Sequence, residues 1–77
     1  MSKLPIVTFQ TWNKLLLKLG FEAVHQKGSH VFYRHPNGKT TTVPNHKGKD
    51  LPSPLTRKIL NDIDLSPEQF IEELQNL

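Results

Sequence analysis

Four histidines, His25, His30, His35 and His46, are the chain's candidates for proton chemistry, and all fall between His25 and Leu51. Lys27, Arg34, Lys39, Lys47 and Lys49 share that stretch, which holds no acidic residue before Asp50. An imidazole is the one side chain whose unperturbed pKa, about 6.5, lets it take or give a proton near neutrality. His30 stands out for what precedes it. Lys27-Gly28-Ser29 offers a cation and a tight connection whose backbone amides can meet a phosphate. His46 and Lys47 follow the next extended segment and can return to the same end of a hairpin. A base for a ribose 2′-hydroxyl and cations for a crowded phosphate are what RNA cleavage requires. The same histidine could instead be structural or merely exposed, and spacing alone does not separate these readings.

A metal site is not expected. His25, His30 and His35 recur at intervals of five, an odd number, so His30 and His35 point to opposite sides of one strand. The chain has no cysteine, no HExxH and no carboxylate cluster in this region. A phosphate-loop motif is also missing, and His35-Pro36-Asn37-Gly38 reads as a turn without a catalytic role.

The flanks must position these groups. Thr8 can cap a first helix in which Phe9, Trp12, Leu15, Leu16 and Leu19 form one apolar stripe, and Gly20 suits its left-handed end. Leu17 falls off that stripe. Phe21 to Gln26, His30 to His35 and Thr40 to Val43 read as three strands. Asn37-Gly38 is a two-residue hairpin signal. With that loop, Arg34 faces Thr41, Phe32 faces Val43 and His30 faces Asn45, while Val31, Tyr33 and His35 share the other side with Thr40 and Thr42. Both sides then carry apolar groups, so the pattern leaves open which one meets the helices. Asn45 to Pro52 reads as a loop. Ser53 with Pro54 at N1 opens a second helix, buried through Leu55, Ile59, Leu60 and Ile63. Ser66-Pro67-Glu68-Gln69 is a capping box for a last helix carrying Phe70, Ile71, Leu74 and Leu77. Burial is expected at Trp12, Leu16, Leu19 and Ile59.

Seventy-seven residues suit one α+β domain over the whole chain, a three-stranded antiparallel sheet with helices on one face. Without cysteine, packing alone must hold it. No apolar run reaches the ~20 residues of a membrane span, and a cytoplasmic protein is expected. Charge divides the chain. Residues 1–49 carry Lys3, Lys14, Lys18, Lys27, Arg34, Lys39, Lys47 and Lys49 against Glu22, a net of +7. Residues 50–77 carry Arg57 and Lys58 against Asp50, Asp62, Asp64, Glu68, Glu72 and Glu73, a net of −4. The asymmetry favours a polyanion on the N-terminal two-thirds, against the plainer reading of solvated charge.

Leu19-Gly20-Phe21, Gln26-Lys27-Gly28-Ser29-His30, Arg34-His35-Pro36-Asn37-Gly38, Val43-Pro44-Asn45-His46 and Leu55-Thr56-Arg57-Lys58-Ile59-Leu60 stand in an order that resembles HicA-type toxins, small mRNA interferases of bacterial toxin–antitoxin systems. The resemblance covers about residues 5–65. It implies a double-stranded-RNA-binding-like α-β-β-β-α fold, metal-independent cleavage of mRNA without a small-molecule cofactor, and a HicB-type antitoxin as partner. The family's catalytic histidine carries over to His30, with Lys27, Gly28, Ser29, His46 and Lys47 as RNA-binding neighbours. Two departures stand beside it. Ser53-Pro54-Leu55-Thr56-Arg57 replaces the Gly-Thr-Leu-Arg that opens the second helix in many relatives, and residues 66–77 form a C-terminal extension. The rival readings are a non-catalytic RNA-binding module and an adaptor whose basic hairpin binds an acidic protein.

Overall fold

The first helix, α1 (Phe9–Lys18), begins where the Thr8 hydroxyl accepts the Thr11 N–H, in a computed structural model that describes residues 4–46 and 49–77. It ends as Gly20 allows. With Gly20 at φ 98°, its N–H reaches the Leu17 carbonyl at 3.1 Å and the Phe21 N–H reaches that of Leu16 at 2.9 Å. This reciprocal pair satisfies carbonyls that a helix end otherwise leaves open. Trp12, Leu15 and Leu16 are fully buried, Leu19 only half-buried, and Leu17 lies exposed off the stripe.

Three antiparallel strands follow, β1 (Glu22–Lys27), β2 (His30–Arg34) and β3 (Thr40–Pro44), with β2 in the centre. The first turn is tight. Gly28, at φ 59°, and Ser29 link Lys27 directly to its partner His30, as a two-residue hairpin with glycine at its first central position does. Farther along, β1 bulges at Val24, so that Ala23 faces Tyr33 while His25 faces Phe32.

The second hairpin corrects the expected register by one residue. Its loop is Pro36-Asn37-Gly38, not Asn37-Gly38: the Gly38 N–H donates to the His35 carbonyl at 2.9 Å, and the His35 N–H to the Lys39 carbonyl at 2.8 Å. Proline's fixed φ suits the second position of a type I turn, and Gly38, at φ 95°, supplies the left-handed residue that closes such a three-residue loop. Arg34 therefore faces Thr40, Phe32 faces Thr42 and His30 faces Pro44, whereas Tyr33 faces Thr41 and Val31 faces Val43. A one-residue slip regroups every pair. The question of faces closes with it. Val31, Tyr33, Thr41 and Val43 are buried together on the helix side, leaving His30, Phe32 and Arg34 on the other.

The chain then returns along the N-terminal lead, where the Leu51 N–H meets the Val7 carbonyl at 3.0 Å and Thr8 bridges Asp50. Helix α2 (Ser53–Ile63) starts one residue earlier than expected, with Pro52 rather than Ser53 as its N-cap, and buries Thr56, Ile59, Leu60 and Ile63. Asp62 at its far end accepts from the Thr41 hydroxyl and the Lys58 ammonium, each at 3.1 Å, which fastens α2 to β3. Helix α3 (Pro67–Gln75) opens on the capping box of Ser66 and Gln69. It is no loose appendage: Phe70 is fully buried and stacks on Trp12 with ring centroids 4.9 Å apart. Such a pair adds about 0.5–1.5 kcal/mol beyond the area it removes from water. Outside it, Lys18 and Glu73 meet at 2.8 Å. The order α-β-β-β-α with an added helix, helices on one sheet face, is the double-stranded-RNA-binding-like arrangement that the resemblance implied. Among the described residues no helix is long and apolar enough to cross a membrane.

Candidate active site on the open sheet face

Because the helices cover one side of the sheet, residues of the other phase face outward. From β2 these are His30, Phe32 and Arg34; paired with them across the sheet are Lys27, His25 and Glu22 on β1, and Pro44, Thr42 and Thr40 on β3. His30, Arg34, His25 and Lys27 are exposed and Phe32 is half-exposed. Glu22 is the one acid of this set, and Lys27 and Arg34 make no ion pair within the described residues. Lys27 and Arg34 against Glu22 leave the face a net charge of +1, with Glu22 opposite Arg34 and no acid opposite His30 at the Lys27 end.

His30 opens β2 at the end where the first hairpin turns. Lys27 is its cross-strand partner on one side and Pro44 on the other, with Asn45 one residue beyond the pairing expected for it. The Asn45 N–H instead donates to the Ser29 carbonyl. That bond ties the end of β3 to the Gly28-Ser29 turn, so Lys27, Gly28, Ser29, His30 and the start of the His46 segment share one end of the sheet. Gly28 is held by a 3.1 Å bond from the Gln26 amide to its carbonyl, and the space where a Cβ would stand is open. His46 is exposed beyond the strand. Lys47 lies outside the described residues.

The other two histidines are occupied differently. His35 packs edge-on against Phe21 with centroids 5.0 Å apart, and its Nδ1 accepts the Asn37 N–H at 3.0 Å. That is a turn-stabilising role, in keeping with the sequence reading. His25 lies beside Phe32, centroids 5.4 Å apart and planes tilted by 34°. Among the described residues no three His, Asp, Glu or Cys side chains gather as metal ligands would.

Two features were not legible as parts of the site. Lys39, one of the stretch's cations, reaches Asp64 at 3.2 Å and so is partly neutralised at the far end of the sheet. Phe32 stands in the middle of the basic face, although the core lies on the other side. The sequence already grouped His30, Phe32 and Arg34 on one side of β2, and the burial of Val31, Tyr33, Thr41 and Val43 shows that this side is the open one. A surface cleft lined by Leu4, Arg57, Leu60, Asn61, Leu65 and Pro67 lies on the helical side and includes none of these groups. A second cleft, lined by Glu22, Val24, Arg34, His35 and Pro36, lies at the Arg34 end of the face, away from His30.

A comparison with protein families matches residues 12–65 to the family described as HicA toxin of bacterial toxin-antitoxin. The matched span holds the first turn, all three strands, His46 and α2, and stops before α3. A search among curated proteins gives no match.

Proposed function

The chain belongs to the HicA toxin family of bacterial toxin–antitoxin systems, and from that premise we propose that it is a metal-independent endoribonuclease that cleaves mRNA, with His30 as its catalytic acid or base. The observation that carries the reading is the placement of His30. It is exposed on an uncovered basic face, with Lys27 opposite and the Gly28-Ser29 turn beside it.

In this mechanism the imidazole of His30 takes the proton of a ribose 2′-hydroxyl. The freed oxygen attacks the adjacent phosphorus, the bond to the 5′-oxygen breaks, and that oxygen leaves with a proton. His46 is the candidate donor. The products are a 2′,3′-cyclic phosphate, or its hydrolysed form, and a 5′-hydroxyl. Lys27, Lys47 and the amides of Gly28 and Ser29 hold the phosphate as its charge builds. A toxin of this family has an antitoxin, and a HicB-type protein acting in the cytoplasm is the partner we assign.

End-group analysis of cleaved RNA tests the reading. A substrate with 2′-deoxyribose at the scissile position should bind and stay uncut, and chelator should leave cleavage intact. His30→Ala should lose roughly 10²–10⁴-fold in rate, the usual share of a positioned acid or base, with RNA affinity little changed. Fragments bearing a 5′-phosphate, or a His30→Ala protein that cuts normally, remove His30 from the mechanism. A wild type that binds RNA and never cuts it is a binding module instead.

A further inference from the structure

Phe32 is an expense the fold does not require. The core is closed on the opposite side by Val31, Tyr33 and Val43, and a polar residue in the centre of the outer face would leave those contacts intact. Instead a half-exposed aromatic ring sits there, with the His25 ring beside it at 5.4 Å. Both are placed by the turn that places the catalytic candidate. The Gly28-Ser29 connection sets Lys27 against His30, and two residues on it sets His25 against Phe32. Phe32 and His30 are thus two positions apart on one strand and one face, about 7 Å along β2 at ordinary strand rise. That is within the span of a single nucleotide from its base to its phosphate. Lys27 lies at the His30 end of this row, where it can meet a backbone phosphate, and Arg34 lies at the other end opposite Glu22.

We propose that Phe32, flanked by His25, is a base-stacking subsite of the ribonuclease, which holds one unpaired base of single-stranded RNA and so fixes the neighbouring ribose at His30. The inference rests on the nuclease reading and adds its substrate class and a positioning residue. Every base has a π-face, so stacking on an aromatic ring holds the strand without reading its sequence. A base within a duplex is already stacked on its neighbours and cannot lie flat on Phe32. The subsite therefore selects single-stranded segments, although the fold is of the duplex-binding kind. Basic groups along the row supply the charge complement that an acidic protein could also use, but the aromatic ring at its centre favours a nucleobase.

The test uses a fully 2′-O-methylated single-stranded oligoribonucleotide, uncleavable by this chemistry, with the fluorescent base 2-aminopurine placed at successive positions. Wild-type protein should quench the fluorophore at one position by stacking. Phe32→Leu, which keeps an apolar group on a half-exposed site, should bind roughly 5- to 150-fold more weakly, the range a lost base–aromatic stack gives. Phe32→Tyr should restore both binding and quenching, which a merely structural role would not demand. The same oligonucleotide annealed to its complement should bind more weakly than the single strand. On a cleavable RNA, Phe32→Leu should raise KM more than it lowers kcat. A Phe32→Leu protein that folds, binds and quenches as wild type does, while wild type cuts RNA normally, overturns the subsite and leaves the nuclease standing. If Phe32→Leu instead escapes its antitoxin with RNA binding unchanged, the face belongs to a protein partner and the inference falls. A wild type that neither binds nor cuts RNA overturns both readings.

Discussion

The two faces of β2 differ in almost every respect, although their residues alternate along five positions. Val31 and Tyr33 lie among helix side chains at 6% and 1% exposure, with Thr41 and Val43 beside them. His30, Phe32 and Arg34 look outward, next to Lys27, His25 and Thr42, with no helix over them among the described residues. One face holds the domain together by burial and the other is free to carry charge and unpaired polar groups, because nothing there must be desolvated. A strand separates these tasks at no cost in length, since its side chains alternate. The same economy makes the arrangement sensitive to register: a slip of one residue exchanges stability for chemistry at every position.

The largest test of that contrast compares neighbours in sequence. Tyr33→Ala should cost about 3–5 kcal/mol of unfolding free energy, as truncation of a fully buried aromatic residue does. Arg34→Ala, one residue on and facing out, should change stability by no more than about 0.5 kcal/mol. Urea unfolding of both variants measures the difference. Equal midpoints would mean that the faces are not divided as described.

Much of the scaffold was legible because its signals are local. The stripe from Trp12 to Leu16, the Gly20 terminator and the Ser66–Gln69 capping box each depend on residues within one or two turns, and each stands where expected. Leu19 and Leu77 were assigned to apolar stripes but lie nearer helix ends, half-buried and exposed respectively. The register was not legible. Asn37-Gly38 carries a strong two-residue signal, but Pro36 before it adds a preset φ that favours the three-residue loop, and the two signals differ by one position in what they align. The site was half legible. Local order put His30 after Lys27-Gly28-Ser29, whereas the bond from Asn45 to Ser29 and the pairing of Lys39 with Asp64 depend on how distant segments close.

The loop offers a second, smaller test. Gly38 holds φ at 95° with nothing near its Cα that a side chain would strike, so any cost of substitution there is conformational. Gly38→Val should destabilise the fold by about 1–2 kcal/mol, the penalty of a side chain in left-handed backbone. A two-residue type II′ loop, which needs positive φ at Asn37 and not at position 38, would escape that strain but bring Arg34 opposite Thr41 and carry Val43 to the outer face. Backbone NMR contacts across the hairpin report which occurs. An unperturbed register with undiminished stability would show that Gly38 is not what sets the alignment.

The smallest effect concerns the hydroxyl of Tyr33, where the inner face meets α1. It donates to Asn13 Oδ1 at 2.8 Å, and burial pushes its pKa up from 10.0 to about 12, because the phenolate would lose its water. Below pH 10 the group is protonated whether the chain is folded or not, and its contribution is full and constant. Between about pH 10 and 12 the unfolded chain releases the proton first, so the folded state loses that contribution as pH rises. Tyr33→Phe should therefore cost about 0.5–1.5 kcal/mol at neutral pH, the net worth of an ordinary hydrogen bond. The gap to wild type should narrow and then reverse across the alkaline window, because only wild type carries the raised tyrosine pKa, while the lysines titrate alike in both proteins. The chain has one tyrosine, so tyrosinate absorbance follows this group alone. Its midpoint should lie near 12 in the folded protein and near 10 in denaturant. Equal midpoints in the two states would place the hydroxyl in water and move Tyr33 out of the inner face.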